Sequence, residues 1–463
     1  MTTTLIFFRK DFYKLAAAVL CCLVPLSCDR MLEVKIPANQ ISSELVFENV
    51  QTADAALAGL YANLRDSGPV SGGAGGSGIL WGMYTDDLDS YSTSGENREI
   101  WLNVHTANNS AVLSFWTASY RSIFLANSII EGVTKSQALS ETDRARIKGE
   151  ALTVRSLMYF YLMHIYGDVP YAVSTDYTIN QALRKTKLTD MEVILENDVK
   201  EAVSLLQDPY RNAERIFPNK KAAQLLLAKI YMQQQKWGMA ENVLTEILGS
   251  PLYTFEQDVS KVFQKSGSHI FWQLKPKNAN DPTKEIQVLY FSGAAPTLYA
   301  LSPGLISSFT ASDKRLHQWT AAVTAGPNTW YRADKYKNRT NNANEYSIVF
   351  RLEEAYLLLA EALAQQNKVP QALPYVNATR LRAQLPTLAV PITKEVVLNE
   401  ILLENRKEFF VEMGHRFLDL KRAGRLNDLK NTKLNWKDEF RLWPVPQKEI
   451  LLNPNLKPQN NGY

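Results

Sequence analysis

Cysteine is scarce in this sequence: there are three in 463 residues, and all of them (Cys21, Cys22 and Cys28) lie within the first 28 positions. The rest of the chain therefore has no thiol for a disulfide framework or a cysteine-based zinc site. The five histidines are scattered, and none forms an HExxH pair. The sequence predicts neither a disulfide-stabilised scaffold nor a metal centre.

An excess of charge of one sign is also lacking. The chain has 51 Lys plus Arg against 47 Asp plus Glu, a formal net charge of +4, and its basic residues form no long run. A nucleic-acid-binding surface needs such clustering of basic residues. After Cys28 there is also no stretch of about eighteen uninterrupted apolar residues, which a membrane-spanning helix would require. We expect no nucleic-acid partner and no transmembrane helix in the body of the protein.

The N-terminal residues have the pattern of a secretory signal. Three basic residues precede the apolar run 15–26, which is roughly half the length of a membrane-spanning helix. The run ends in Pro25-Leu26-Ser27-Cys28, which resembles a bacterial lipobox with Pro in place of the usual Leu. We expect residues 1–27 to be removed and Cys28 to carry diacylglyceryl and palmitate-type acyl chains, enough for stable membrane attachment. An ordinary signal peptide, cut at a small residue, is the alternative.

Helical periodicity dominates the body, and it predicts a mainly α fold. The predicted helices are 53–66, 114–135, 141–166, 190–206, 219–234, 238–248, 353–366, 370–383 and 394–412. The predicted strands are few and short: 269–274, 287–291 and 442–445.

Two helical stretches, 221–248 and 353–380, share one layout. Each has a helix with small alanines beside large side chains, a short turn, and a second helix. Antiparallel pairs of the tetratricopeptide type need this pattern in order to pack and stack. The stretches 143–166 and 190–206 form a possible third pair. We therefore expect tetratricopeptide-like helical pairs packed against an irregular, loop-rich lobe with a few short strands.

Two segments without sustained periodicity, about 81–109 and 262–346, combine aromatic side chains with amide and charged groups. Such mixtures suit sugar rings, whose apolar faces stack on aromatic rings, and they also suit peptides. Loop aromatics can equally form a small core beneath a loop. The candidate ligand-binding residues are Trp81, Tyr84, Asp86, Asp87, Tyr91, Trp101, Asn103, Trp272, Tyr290, Tyr299 and Trp319.

No constellation in the sequence demands catalysis. Glu404, Glu408 and Glu412 lie four residues apart on one helical face, as a glycosidase carboxylate pair could. Arginines surround them in the sequence, however, whereas a general acid needs an apolar setting that raises its pKa. The stretch 73–78 fits GxGxxG, but it follows a helix and not a strand, so we interpret it as a flexible loop. We expect no catalytic residue and no cofactor.

Several blocks of the sequence resemble one family. They are Arg155-Ser-Leu-Met-Tyr-Phe-Tyr-Leu-Met-His-Ile-Tyr-Gly-Asp-Val-Pro170, Arg351-Leu-Glu-Glu-Ala-Tyr-Leu357, and Glu412-Met-Gly-His-Arg-Phe-Leu-Asp-Leu-Lys-Arg-Ala-Gly424. These blocks are similar to motifs of the SusD/RagB family, the outer-membrane nutrient-binding lipoproteins of starch-utilisation-type systems. Met413 is a departure, because it splits the family's usual Glu-Gly pair.

The resemblance implies a single mature SusD-like domain, 28–463, with an N-terminal part of about 28–210 and a C-terminal part of about 211–463. It implies a lipid-anchored protein of the outer membrane, facing the cell exterior, that is not an enzyme. Such a protein binds an oligosaccharide and delivers it to a SusC-type TonB-dependent transporter. A peptide-binding, RagB-like member and a helical-repeat scaffold for protein partners are the alternatives.

Overall fold

The computed structural model describes residues 43–463, so the expected signal peptide and Cys28 lie outside the described residues. The chain divides into two compact units, 1–46 and 47–463. In the first, Ser43–Val46 forms helix α1. The account below concerns the second unit.

The second unit is built mainly from helices, as the periodicity predicts. The longer ones are α2 (Val50–Asp66), α3 (Ser77–Tyr84), α4 (Glu96–Leu102), α5 (Ser110–Lys135), α6 (Glu141–Tyr166), α8 (Leu188–Leu205), α9 (Lys220–Gln233), α10 (Trp237–Leu248), α14 (Leu352–Gln365), α15 (Val369–Arg382), α16 (Lys394–Phe409) and α17 (His415–Arg422). The shorter ones are α7 (Tyr177–Asn180), α11 (Lys284–Leu289), α12 (Pro303–Ile306), α13 (Lys314–Trp319) and α18 (Gln447–Leu452). No helix within residues 43–463 combines the length and apolarity needed to cross a membrane.

Capping residues explain where the long central helices begin. The Asn109 side chain accepts hydrogen bonds from the amides of Ala111 and Val112 at the start of α5. The Ser140 side chain accepts from the amide of Asp143 at the start of α6. These caps satisfy amides that the first turn of a helix leaves without partners. Helix α6 has the bounds predicted from the sequence.

The two repeated stretches do form equivalent helical pairs. Helix α9 packs on α10, α14 packs on α15, and α10 contacts α14, which stacks the two pairs. Their turns are alike: Gln235 and Asn367 both have left-handed backbone, with φ of 56° and 63°. In each turn the next amide, that of Lys236 or Lys368, donates to the carbonyl five residues earlier. The possible third pair, α6 with α8, also packs together.

Two predicted strands are wrong. Residues 287–291 overlap α11, where the three-residue spacing of Ile286 and Leu289 buries both side chains on one helical face. Residues 442–445 form no strand. Pro444 and Pro446 lack the amide hydrogens that a ladder needs, and the Trp443 amide donates instead to the Ile165 carbonyl.

The end of α16 differs from the prediction as well, because the helix stops at Phe409 and not at residue 412. Beyond it Val411, Met413 and Gly414 all have positive φ, which ends the helical path. At Gly414, where φ is 71°, an added Cβ would lie 2.3 Å from the Trp81 ring. The turn therefore needs glycine both for its backbone conformation and for this close approach.

Helix α3 corrects the interpretation of 73–78 as a flexible loop, because it begins within that glycine-rich stretch. Gly76 caps the helix, and an added Cβ there would lie 1.7 Å from the Ser71 carbonyl oxygen. The stretch is thus a tight turn, and the glycine permits the contact between its two sides.

Eight strands are described within residues 43–463. They are β1 (Leu88–Ser90), β2 (Val169–Pro170), β3 (Lys185–Thr186), β4 (Ile270–Leu274), β5 (Tyr299–Leu301), β6 (Thr320–Ala325), β7 (Asn328–Ala333) and β8 (Ser347–Arg351). Five of these eight strands lie in the two irregular segments, whereas β2 and β3 lie between α6 and α8 and β8 directly precedes α14. One antiparallel sheet has the order β1-β5-β7-β6, and β2-β3 and β4-β8 form two smaller ones. The four-stranded sheet joins the two segments that hold the candidate ligand-binding residues.

Candidate ligand-binding surface

Seven of the eleven predicted contact residues lie in the core, at most 3% exposed. They are Trp81, Tyr84, Asp87, Asn103, Trp272, Tyr299 and Trp319. A ring or amide with no exposed surface offers nothing for a ligand to contact, so we remove all seven from the candidate surface.

The buried aromatic residues instead hold distant parts of the chain together. Trp81 packs against Phe115, Tyr161 and Phe417. The Tyr84 hydroxyl donates to the Phe440 carbonyl at 2.6 Å. These contacts follow from long-range folding, so the local sequence gives no sign of them.

Four of these buried residues also have hydrogen-bond partners within the protein: Trp272, Trp319, Tyr299 and Asn103. The indole nitrogens of Trp272 and Trp319 donate to the carbonyls of Ile216 and Val259. The Tyr299 hydroxyl accepts from the Asn97 amide at 2.6 Å. Asn103 caps α4 in left-handed conformation, and its side chain donates to the Tyr84 carbonyl.

Asp86 and Asp87 form ion pairs within the protein. Arg416 donates two hydrogen bonds to Asp86, at 2.7 and 2.9 Å, and Arg406 donates to Asp87 at 2.9 Å. Burial alone would raise the pKa of Asp86, but Arg416 and Arg406 hold it below its ordinary value. Both carboxylates are thus occupied, and residues 43–463 contain no cluster of acidic, His or Cys side chains suited to a metal ion.

The outer face of the four-stranded sheet presents the remaining candidates. Asp89 pairs with Ala300, and Leu301 pairs with Tyr331. Because side chains alternate along a strand, Trp330 and Arg332 of β7 share the face of Asp89. On the opposite face, the side chains of Leu88 and Leu301 are buried, at 0% and 4% exposed.

Four half-buried aromatic side chains gather at this face, and we call them the aromatic surface: Tyr91, Trp101, Tyr290 and Trp330. The Trp101 indole donates to Asp89 at 3.2 Å. Burial and the Asp89 carboxylate raise the pKa of Tyr91, and a hydrogen bond from the Trp330 side chain opposes them. Tyr290 is linked to the sheet by Arg332, whose guanidinium lies 4.4 Å from the Tyr290 ring centroid.

A cleft of about 350 Å³ lies beside Trp101. Its lining includes Asp86, Asp89, Ser302, Arg406 and Lys433. The Lys433 ammonium donates to the carbonyls of Met83 and Trp101, at 2.6 and 3.0 Å. Aromatic faces can stack with a ligand ring, and the charged and hydroxyl groups that line the cleft can hydrogen-bond its substituents.

Sequence reasoning places Tyr91, Trp101 and Tyr290 at this surface but omits Trp330, Arg332, Arg339 and Lys433. The alternation in β7, with Trp330 and Arg332 two residues apart, is the sequence signal that could have identified the first two. Lys433 gives no such signal, because it comes from a distant loop after α17.

The three glutamates that could have formed a glycosidase pair belong to a buried charge cluster. Its members are Asp313, Arg315, Lys335, Arg351, Glu353, Arg382, Glu404, Glu408 and Glu412. Glu408 is 0% exposed and pairs with three arginines. Burial would raise the pKa of Glu408, but Arg382, Arg351 and Arg315 hold it well below its ordinary value. A carboxylate held ionised in this way is not a general acid.

Comparison with known proteins agrees with this architecture. A family model described as starch-binding and associating with the outer membrane matches residues 32–232, and a SusD family model matches residues 312–463. The chain belongs to the SusD/RagB family.

Relatives match along nearly the whole chain. SusD-like protein P25 of Formosa agariphila is 24% identical over 519 residues, which covers 94% of this chain and 97% of the relative. A SusD superfamily crystal structure from Bacteroides vulgatus superposes with a TM-score of 0.76 at 22% identity, covering 90% of this chain and 100% of that one. Surface glycan-binding protein A from Bacteroides thetaiotaomicron, in complex with laminarihexaose, superposes with a TM-score of 0.74 at 17% identity, covering 89% of this chain and 99% of that one. At these identities the structural similarity establishes the shared fold.

Proposed function

We propose that this protein captures an oligosaccharide at the cell surface and delivers it, chemically unchanged, to a SusC-type TonB-dependent transporter of the outer membrane. The gathering of Tyr91, Trp101, Tyr290 and Trp330, with Trp101 lining an adjacent cleft, carries the proposal. Family membership adds support, since one structurally similar family member was solved with laminarihexaose. The ion-paired state of Glu408 supports binding without hydrolysis.

Calorimetric titration of a glycan and peptide panel would test the proposed capture. We expect an oligosaccharide to bind and Trp330→Ala to weaken it by about 1–3 kcal/mol, the range for a central aromatic contact. Tyr177→Ala is the matched control, because Tyr177 is 75% exposed and lies on α7, outside the aromatic surface. Binding of peptides alone would favour the RagB-like alternative. Equal losses in the two variants would show that Trp330 does not contact the ligand.

The proposed attachment of the mature chain, residues 28–463, depends on Cys28. We expect mass spectrometry of the membrane fraction to find an acylated N-terminal Cys28, and Cys28→Ala to release the protein from the membrane. Two acyl signals suffice for stable anchoring, which is why one substitution should be decisive. An unacylated wild-type chain would contradict the lipoprotein proposal.

The proposed delivery requires a transporter that stays associated with the receptor. Purification of the tagged wild-type protein from outer membranes, solubilised in mild detergent, should recover a TonB-dependent transporter in comparable amount. Recovery of the receptor without any such transporter would contradict the proposal of delivery while leaving the binding result intact.

A further inference from the structure

We propose that the aromatic surface takes an acidic oligosaccharide, whose anionic groups lie against Arg98, Arg339 and Lys433 while its sugar rings stack on Tyr91 and Trp330. The inference rests on the proposed function and adds the class of sugar. The anionic group is the carboxylate of a uronic acid or a sulfate ester, since a guanidinium binds either through charge-assisted hydrogen bonds.

Cations lie over two of the four aromatic rings. At Trp101, the Arg98 guanidinium is 5.5 Å and the Lys433 ammonium 5.3 Å from the ring centroid. At Tyr290, the corresponding distances are 4.4 Å for Arg332 and 3.8 Å for Arg339. These positions lie within the range of cation–π contacts. Positive charge therefore accompanies both rings, whereas Tyr91 and Trp330 have no such contact within the described residues.

Three of these cations form no ion pair with any carboxylate of residues 43–463. Arg98 donates to the Ser92 carbonyl, and Lys433 donates to two backbone carbonyls. Arg339 is exposed, and its only described contacts are with Tyr290. An ammonium has three hydrogens, so Lys433 keeps one donor beyond the two carbonyls that it contacts. These groups can bind an anion without first breaking an ion pair.

The acidic groups nearby are already engaged. Asp89 accepts the Trp101 indole hydrogen, and burial raises its pKa. Asp334 pairs with Arg332 at 3.1 Å, and Glu99 accepts from Asn109 at 2.8 Å. Glu96, on α4, is exposed and forms no ion pair within the described residues.

Two of these arginines also act on the Tyr290 hydroxyl. Its pKa is lowered, first by a hydrogen bond from Ser292 and then by Arg332 and Arg339. Lys433 remains mainly protonated at neutral pH, although burial lowers its pKa to about 8 against the opposing charges of Asp89 and Asp86. Arg98, Arg339 and Lys433 thus bring unpaired positive charge to the aromatic surface.

The test compares each acidic oligosaccharide with its own neutral form. Hexamers of galacturonate and mannuronate would be titrated beside their carboxyl-reduced counterparts, and a sulfated, carboxyl-reduced chondroitin hexamer beside its desulfated form. We expect at least one acidic hexamer to bind tenfold or more tightly than its neutral form. The advantage should shrink in concentrated salt, which screens exposed charges. The arm that binds identifies carboxylate or sulfate as the anionic group.

Substitutions locate the effect at the proposed cations. Arg339→Gln and Arg98→Gln should each weaken the acidic ligand about tenfold and leave any neutral ligand unchanged. Arg184→Gln is the matched control, because Arg184 is likewise exposed and lacks an ion pair within the described residues. Thermal unfolding should be unchanged in all three variants, which would show that they remain folded.

Other outcomes overturn the inference in distinguishable ways. If a neutral sugar such as laminarihexaose binds and no acidic form binds more tightly, the acidic-ligand inference fails and the proposed function stands. If no oligosaccharide binds, both fail together. If the arginine variants weaken acidic and neutral ligands equally, the cations do not recognise charge and the inference is again wrong.

Discussion

Glu408 offers the sharpest test of what stabilises the C-terminal half of the fold. Glu408→Gln keeps the shape of the side chain but removes a charge that faces three arginines. The carboxylate lies 2.6 Å from Arg351 and 3.2 Å from Arg315, and it also pairs with Arg382. Removing one partner from a buried ion pair costs about 3–5 kcal/mol, because the other charge is left buried and unpaired.

The structure indicates the lower end of that range. Arg315 keeps Asp313 and Glu404, and Arg351 keeps Glu353 and Glu412. Arg382 keeps Glu353, so each of the three arginines retains at least one other carboxylate. We expect Glu408→Gln to lower the free energy of unfolding by about 3 kcal/mol. For a body of this size, this corresponds to a fall of about 3 °C in melting temperature.

Urea unfolding followed by circular dichroism would measure the effect, with thermal unfolding as a second readout. Glu131→Gln is the control, because Glu131 forms an exposed pair with Lys135 that contributes less than about 0.5 kcal/mol. Equal stability of the two variants would refute the conclusion that the buried charge cluster stabilises the fold.

The same reasoning gives a pH dependence. The pKa of Glu408 is lower in the folded protein than its ordinary value of 4.5, so its stabilising effect is fully present above about pH 4.5. That effect is lost as the pH falls towards the folded-state pKa. The wild-type protein should therefore lose more stability than Glu408→Gln over the same acid range. If the two proteins lost the same stability over this pH range, Glu408 would not be the source of the pH dependence.

Three further substitutions test the packing. Trp272→Ala should lower the free energy of unfolding by about 3–5 kcal/mol without a specific effect on ligand affinity, since Trp272 is 0% exposed. A loss of ligand affinity at unchanged stability would contradict its core position. Gly414→Ala should lower the free energy of unfolding by about 2–4 kcal/mol, because the positive φ and the Trp81 contact both oppose a Cβ. Urea unfolding that shows no loss of stability would refute that account. Gly59→Ala, in an exposed and open helical position, should instead add about 0.5–1 kcal/mol, and a loss would show a contact that the structure lacks.

The helices were largely predictable because their signals are local. Periodicity, capping residues and short turns act over a few residues, so the bounds of α6 and the equivalent turns at Gln235 and Asn367 follow from nearby sequence. The family blocks also mark structural positions: Arg351 and Glu412, from two different blocks, meet at 2.9 Å in the buried charge cluster.

The candidate surface was less predictable because it depends on pairing between distant strands. Trp81 and Trp101 both occur in the first irregular segment, yet Trp81 packs on Phe417 while Trp101 remains half-exposed. Nothing within a few residues of either tryptophan distinguishes these outcomes. The register that puts Trp330 and Arg332 on the face of Asp89 likewise requires β5 to lie between β1 and β7.

The aromatic surface and its neighbouring cations come from three separate stretches, around 89–101, 290–339 and 433, whereas the stacked helical pairs belong to other parts of the chain. Exchange of the exposed loops at 292–297 or 337–341 could therefore redirect sugar preference and leave the helical framework intact. Homologues with a common framework could in this way diversify towards different polysaccharides through changes of only a few residues.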